Sequence, residues 1–475
     1  MGLMIREPHP HQHQLEMVTL EELVPKDHLL RKIDRFIDFS FIYDEVRHLY
    51  CENNGRPAVD PVRLFKMLFI GYLFGIRSER QLVREIQVNV AYRWFLQMSL
   101  TEKVIDASTF SQNRRRRFDG SEIEQVIFDR IVEQAMAQGL IEGKALFTDS
   151  THLKANANKR RHTVHEVAQS PMEYLEELKQ AVEADRQAQG KKPLKPRQVK
   201  PQSKPTKISD TDPDAGYMVR DQKPEGFFYL DHRTVDGKHG LITDTHVTPG
   251  NINDARPYLG RLDRQCERFQ FKPLVVGLDA GYNTAAVCHG LVVRGIDGVV
   301  GYKRPHGPKG RFKRRDFHYD AERDAYCCPQ GCWLGYATTS RDGYRQYKSD
   351  PAVCRDCLLL HRCTQSRNHQ KVMVRHVWEA DRERINQNRL SRWGKRVYER
   401  RRETVERSFA DAKQLHGHRY ARYRGLSRVR SQCLLAAACQ NMKKIALLLA
   451  RLFALFLRLR SLTGRNQAFA MAHLG

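Results

Sequence analysis

Between residues 18 and 118 the apolar positions recur at helical spacing: Leu64, Met67, Leu68 and Tyr72, then Leu82, Ile86 and Val90. That is the one-faced pattern of a 3.6-residue period. Pro61 stands where a helix would start and Gly75 where one would break. Ser108 can cap the turn before Arg114–Arg117, a basic run, and another amphipathic helix is expected from Ile123 to Met136. Further on the period changes. Ala145-Leu-Phe-Thr is a short apolar run ending in Asp149. Gly226-Phe-Phe-Tyr-Leu and the run Leu241 to Val247 flank the turn dipeptide Asp236-Gly237, which predicts a hairpin. A helix is expected from Arg256 to Arg268. Pro273-Leu-Val-Val-Gly-Leu then reads as a buried strand ending in Asp279, and Gly295 to Val300 as another.

Residues 156 to 210 break this alternation. His165 to Gln189 reads as a charged helix, and GKKPLKPRQVKPQSKPTK reads as an extended cationic linker. Trp378 to Val429 is a long, strongly charged helical stretch. The apolar segment Leu434 to Leu457 is interrupted by Lys443, Lys444 and Arg451, so it reads as a buried helix and not as a membrane span of about 18 apolar residues. The expected organisation is α/β. It has a helical N-terminal domain at 1–120, the first part of a core at 121–300 interrupted at about 156–210, a Cys-rich insertion at 301–378 and a helical remainder at 379–475.

Charge adds a partner. Over 475 residues, 81 Lys and Arg stand against 55 Asp and Glu, a formal charge of +26, with 41% hydrophobic and 9% aromatic residues. Such a chain has enough apolar material to fold, and its excess of cations points to a polyanion, nucleic acid before membrane. The N-terminal MGLMIREPHPHQHQ carries no apolar signal core, and Arg6 stands where a myristoylation pattern needs Ser or Thr. A cytoplasmic protein without a membrane partner is expected. His9, His11 and His13 read as part of a tail.

The chemistry-bearing residues are acids. Asp149 and Asp279 each end an apolar strand, and a carboxylate there needs a cation or hydrogen-bond donors. Strand ends of an α/β sheet are also where ligand sites sit. In the charged C-terminal stretch, Arg402, Glu406 and Lys413 fall on one side of a helix, while Val405, Phe409 and Ala412 can pack inward. Residues 381–430 hold 16 Lys and Arg against 6 Asp and Glu. A carboxylate amid that excess makes sense if it ligates a cation while its neighbours hold phosphates.

The blocks TDST around Asp149, GFFY…VDGKHGLITDTHVTPGN, VVGLDAGYN around Asp279 and RRRETVERSFADAKQLHGHRYARYRGL resemble the DDE transposases of bacterial insertion sequences. The likeness is to the branch with a helical N-terminal domain and a cysteine-bearing insertion, and it covers nearly the whole chain. It implies an RNase H-like catalytic core in which Asp149, Asp279 and Glu406 bind two divalent ions, Mg²⁺ or Mn²⁺, with Glu403 a rival third acid. It also implies strand cleavage and strand transfer at terminal inverted repeats, DNA partners that include the target, and a dimer or larger assembly, with the protein at the bacterial nucleoid. The family's Tyr–Arg–Glu–Lys signature spaces its Arg, Glu and Lys as Arg402, Glu406 and Lys413 do. Tyr398 stands one residue farther from Arg402 than that signature has it. Arg402 and Lys413, together with Arg114, Arg115 and Arg116 of the N-terminal domain, are the expected DNA contacts. The other readings are a metal-dependent nuclease that does not join and a DNA-binding relic without catalysis.

Six of eleven cysteines lie between Cys327 and Cys363, which favours metal over disulfides in a reducing compartment. Cys328, Cys354, Cys357 and Cys363 would make a tetrahedral Zn²⁺ site, with Cys327, Cys332 or His361 as replacements. Cys288, Cys433 and Cys439 read as small buried apolar residues.

Overall fold

The computed structural model describes residues 15–51, 58–168, 174–195, 203–219, 225–303 and 309–472, with side chains to 458. His9, His11 and His13 lie outside the described residues. The chain divides into a helical unit, residues 1–138 with 412–418 and 434–475, and an α/β unit, residues 139–411 with 419–433.

In the helical unit the helix Pro61–Leu73 is the core element. Its proline takes the first position, where no amide is needed, and the Asp60 side chain accepts from the Arg63 amide. Residues 64 to 73 are buried throughout. Lys66 is tolerated among them because its Nζ donates to Asp34 at 2.7 Å and to the Phe95 carbonyl at 3.3 Å. The chain turns at Gly75, whose φ is +68°. Ser108 does not cap: it lies inside the helix Ala107–Asn113, which follows Asp106. The helix Ile123–Ala137 matches its expected span.

The last helix runs from Leu426 to Ala472. Leu434, Leu435, Met442 and Ile445 are buried, whereas Leu452, Phe453, Leu455, Phe456 and Leu457 are exposed. By length and composition alone the segment Leu426–Arg458 could cross a membrane, contrary to the sequence reading, but 67% of its most apolar window is buried inside the protein.

The α/β unit is built on strands β1 (Ala145–Lys154), β2 (His162–Ala168), β3 (Ser203–Ser209), β4 (Gly216–Met218), β5 (Gly226–Asp236), β6 (Ile242–Pro249), β7 (Val275–Leu278) and β8 (Asp297–Val300). The main sheet has the order β4-β5-β1-β7-β8, with β6 also on β5. β5 is antiparallel to β1 and β6, while β7 and β8 run parallel to β1. The three long antiparallel strands β6-β5-β1 followed by the parallel β7 and β8 make the RNase H-like arrangement, with the short β4 added on β5. The helices Tyr258–Phe269 and Ala285–Val293 connect the strands on the parallel side. Leu146, Val276, Leu278, Val300, Leu291 and Ile385 close one core layer.

β5 is buried along its whole length. Its polar residues are paired: Arg233 donates to Asp231 at 2.9 Å, and Thr245 of β6 donates to the other Asp231 oxygen at 2.7 Å. Breaking such a buried pair leaves an uncompensated charge, and the Thr245 hydrogen bond links the pair across to β6.

Within 156–210 the structure corrects the sequence reading. His165 to Ala168 belong to β2, the helix covers only Leu175–Ala188, and the end of the Lys/Pro tract is β3. The lysines and prolines of that tract favour coil by themselves, but β2 supplies a partner ladder of seven residue pairs. The Cys-rich insertion is a second sheet, in the order β13-β12-β11-β10-β9, from β9 (His318–Asp320), β10 (Ala325–Cys327), β11 (Trp333–Thr339), β12 (Tyr344–Lys348) and β13 (Val372–His376). Phe317, Tyr326, Leu334, Tyr347 and Met373 form its core.

Gly277 of β7 shows how tight the main sheet is. A Cβ there would lie 2.6 Å from the Phe147 ring, and Phe147 is fully packed. Gly277→Ala should lower stability by about 1–3 kcal/mol through overpacking, read as a lower urea midpoint; an unchanged midpoint would mean that Phe147 can move aside.

A candidate active site of three carboxylates

Two parallel strands set the first half of the site. β1 and β7 pair from Ala145↔Val275 to Thr148↔Leu278. The next residue on each is an acid, so Asp149 and Asp279 stand side by side where β7 ends. Asp149 lies mid-strand and is mostly buried; Asp279 begins a 3₁₀ turn and is half exposed. Gly301, beyond β8, passes so close that a Cβ would meet the Ala280 amide at 2.7 Å and the Tyr398 hydroxyl at 2.8 Å.

The other half comes from the C-terminal helices. The helix Glu379–Leu390 packs Ile385 against this core. Helix Arg392–Arg401 follows, capped by Ser391, whose Oγ accepts from the Gly394 amide. At Arg402–Glu406 the helix widens into a π-helical turn before continuing as Arg407–Leu415. In a regular α-helix five residues turn through about 500°, which would leave Arg401 and Glu406 about 140° out of line. Bonding of the i→i+5 kind brings residues five apart back onto one side. Val405 and Phe409 point inward, as the sequence reading expected.

Arg401 therefore sits among all three acids. Its Nη2 donates to Asp149 at 2.8 Å, and Nη1 lies 3.7 Å from both Asp279 and Glu406. Nη1 also donates to the Tyr398 hydroxyl at 3.3 Å. The Nε of Arg401 is buried with no hydrogen-bond partner among the described residues. Burial pushes the Asp149 carboxyl up to about 6, although Arg401 and the Ser150 amide pull it down; Asp279 and Asp254 add to the rise. Three carboxylates around one guanidinium leave an excess of negative charge, and the donor set is all oxygen. Such a set fits a hard divalent cation and excludes thiolate chemistry here.

The predicted residues divide accordingly. Asp149, Asp279 and Glu406 converge on Arg401, while Glu403 faces solvent. Arg402 is exposed, and the arginine that meets the acids is Arg401, which the helical spacing did not single out. The signal was present: Tyr398 to Arg401 is three residues, and the π-turn supplies the additional residue before Glu406. Lys413 is half-buried on the next helix, within residues counted with the helical unit. In the basic run, Arg114 is tied to Glu79 at 3.0 Å, whereas Arg115 and Arg116 are exposed.

The cysteines also gather. Cys328 and Cys332 flank the turn between β10 and β11, where the Cys328 amide donates to the Cys332 carbonyl at 2.9 Å. Burial raises the Cys332 thiol, and Cys328, Cys354 and Cys357 raise it further. Burial likewise raises Cys363, against the pull of Lys371 and with Cys354, Cys328 and Cys357 nearby. Cys332 thus joins the four expected residues, while His361 is exposed. Cys288, Cys433 and Cys439 are fully buried.

Residues 18–116 match the family described as Transposase domain (DUF772), and residues 327–446 match the family described as Transposase DDE domain. No protein of curated function matches the chain. Among solved structures it is similar to a piggyBac transposase synaptic complex with hairpin DNA (10% identity, TM-score 0.35, 88% of this chain and 74% of that one). It is also similar to a Mos1 transposase paired-end complex with the left transposon end (9%, TM-score 0.16, 52% and 61%). A Mos1 mariner paired-end complex with Mn matches at 13% identity and TM-score 0.16, over 58% and 66%.

Because the folded Asp149 pKa lies above its ordinary 3.8, the fold prefers the protonated acid. Its ionisation costs stability, increasingly as pH rises from about 4 to about 6, and fully above that. Asp149→Asn should therefore raise the melting temperature of the metal-free protein at pH 8, and the gain should fade as pH drops through 6 towards 4. A gain independent of pH would refute the assignment of that cost to Asp149.

Proposed function

We propose, of a chain that its two matched domains make a DDE transposase, that it cuts DNA at the terminal inverted repeats of its own element and joins the freed 3′-OH to target DNA. The observation that carries this reading is the convergence of Asp149 from the middle of β1, Asp279 from the end of β7 and Glu406 from a π-turn. Those three side chains would hold the divalent ions. When bound, a pair of ions such as Mg²⁺ or Mn²⁺ supplies an activated nucleophile and a stabilised leaving oxygen for in-line displacement at phosphorus.

The chain's own residues do the rest. Arg401 offsets the mutual repulsion of the acids and keeps them together. Exposed Arg402 offers charge to DNA phosphates from the α/β unit, and Lys413, Arg115 and Arg116 offer it from the helical unit. Cleavage and joining are the same displacement with water or a 3′-OH as nucleophile, so one site serves both. Two ends joined in one event call for at least two copies of the chain.

The same reading takes the Cys-rich insertion as a folded side domain stapled by a structural Zn²⁺, drawn from Cys328, Cys332, Cys354, Cys357 and Cys363. Cys328 and Cys332 at the β10–β11 turn and Cys354, Cys357 and Cys363 between β12 and β13 lie at one end of the second sheet, with Cys328 and Cys363 packed against its core, which supports it. Tetrahedral zinc takes four thiolates.

Incubation of the full chain with DNA carrying the element's ends and Mg²⁺ or Mn²⁺ should give end-specific cuts and joined products. Both should disappear in Asp279→Asn and Glu406→Gln. Cuts without joining would favour the nuclease, and binding without cuts the inactive relic. Metal analysis of the purified protein should find about one zinc per chain, absent from Cys354→Ser/Cys357→Ser; protein free of zinc at full stability would end the claim.

A further inference from the structure

β2 and β3 form a two-stranded ribbon that belongs to neither sheet. Seven residue pairs, His162↔Ser209 to Ala168↔Ser203, give it a length of about 23 Å at roughly 3.3 Å per residue. Its base is anchored: the Asp210 amide donates to the Arg161 carbonyl, Ser209 is buried, and Lys207 Nζ donates to the Tyr217 hydroxyl. Beyond that base Thr163 to Val167 and Ser203 to Pro205 are exposed, with Thr206 half-buried. Val164 is 61% exposed and Val167 41%, and Thr163, His165, Glu166 and Lys204 are exposed with them. A two-stranded ribbon with no core beneath it is marginal by itself in water, so a partner is expected to cover it.

Charge selects the partner. Lys159, Arg160 and Arg161 lead into the ribbon and Lys204 lies near its far end, all exposed, against Glu166 as the one acid within the two strands. Pro205 removes an amide from β3, which blunts pairing with a strand of a second copy. The apolar positions are too few for a protein interface core. A duplex major groove, about 12 Å wide, admits a two-stranded ribbon. We propose that the β2–β3 ribbon is an arm that enters a DNA groove, with Lys159, Arg160, Arg161 and Lys204 on the phosphates at its rims. This rests on the DNA-handling function proposed above. The arm continues from β1, the strand that carries Asp149, so duplex gripped there is held by the same unit that holds the acids.

The test is fluorescence anisotropy of the full chain with labelled duplexes, one from an element end and one of random sequence, over a salt series. Lys159→Ala/Arg160→Ala/Arg161→Ala/Lys204→Ala should weaken binding to both duplexes. It should also lower the slope of log affinity against log salt by about 0.9 for each phosphate no longer neutralised, so by two or more, with an unchanged melting temperature. Should that variant melt early, Lys204→Glu alone decides, with weaker duplex binding expected. Unchanged affinity and slope, with the wild type binding normally, would overturn the arm and leave the transposase reading intact. Equal weakening on single strands would overturn groove docking. A wild type that binds no duplex would remove the DNA-handling reading itself, and the arm with it.

Discussion

The guanidinium of Arg401 is the interaction on which the α/β unit turns. It touches an acid from mid-strand, an acid from a strand end and an acid from a helix, and without a cation of some kind those three would repel one another. Everything around it serves to deliver it there. Gly277 gives way to its stem and to the Phe147 ring. Tyr398 holds one nitrogen, and the π-turn brings Glu406 round to meet it. The positive charge that lets the three acids stand together is thus supplied by the chain itself.

Beneath the acids, the sheet is specified by buried polar pairs as much as by apolar area. Asp231, Arg233 and Thr245 lock β5 to β6, and the Arg233 guanidinium lies 4.9 Å from the Phe409 ring centroid. That contact ties the helix after the π-turn to the antiparallel half of the sheet, while Ile385 ties the earlier helix to the parallel half. The two clamps fix the helix on either side of Glu406, so the acid's position is set by packing on both flanks.

Much of this was legible in the residues. The apolar runs before Asp149 and Asp279 marked the strands, and Asp236-Gly237 marked the hairpin, because a two-residue period and a turn dipeptide are local facts. Asp149 and Asp279 stood out as acids after apolar runs and Glu406 through its helical spacing and the family resemblance, and the structure brings the three around one guanidinium. The arginine that meets the acids was not legible: a fixed helical offset singled out Arg402, and a π-turn is a departure from that offset that only tertiary packing reveals. The β2–β3 ribbon was missed for a similar reason. Lys- and Pro-rich sequence carries no strand preference of its own, and β3 exists because β2 lies 35 or more residues away to pair with it. The exposed end of the last helix was missed because composition does not say which neighbours a helix will find.

The distance along the chain between the strand acid and the guanidinium that meets it has a consequence in time. Arg401 and Asp149 are 252 residues apart. At roughly 5–20 residues per second of synthesis, the ribosome needs on the order of tens of seconds to make the second after the first. Throughout that interval the nascent protein holds part of its sheet and an incomplete set of acids. Until then Asp149 and Asp279 stand without the guanidinium that meets them and without Glu406 beside it.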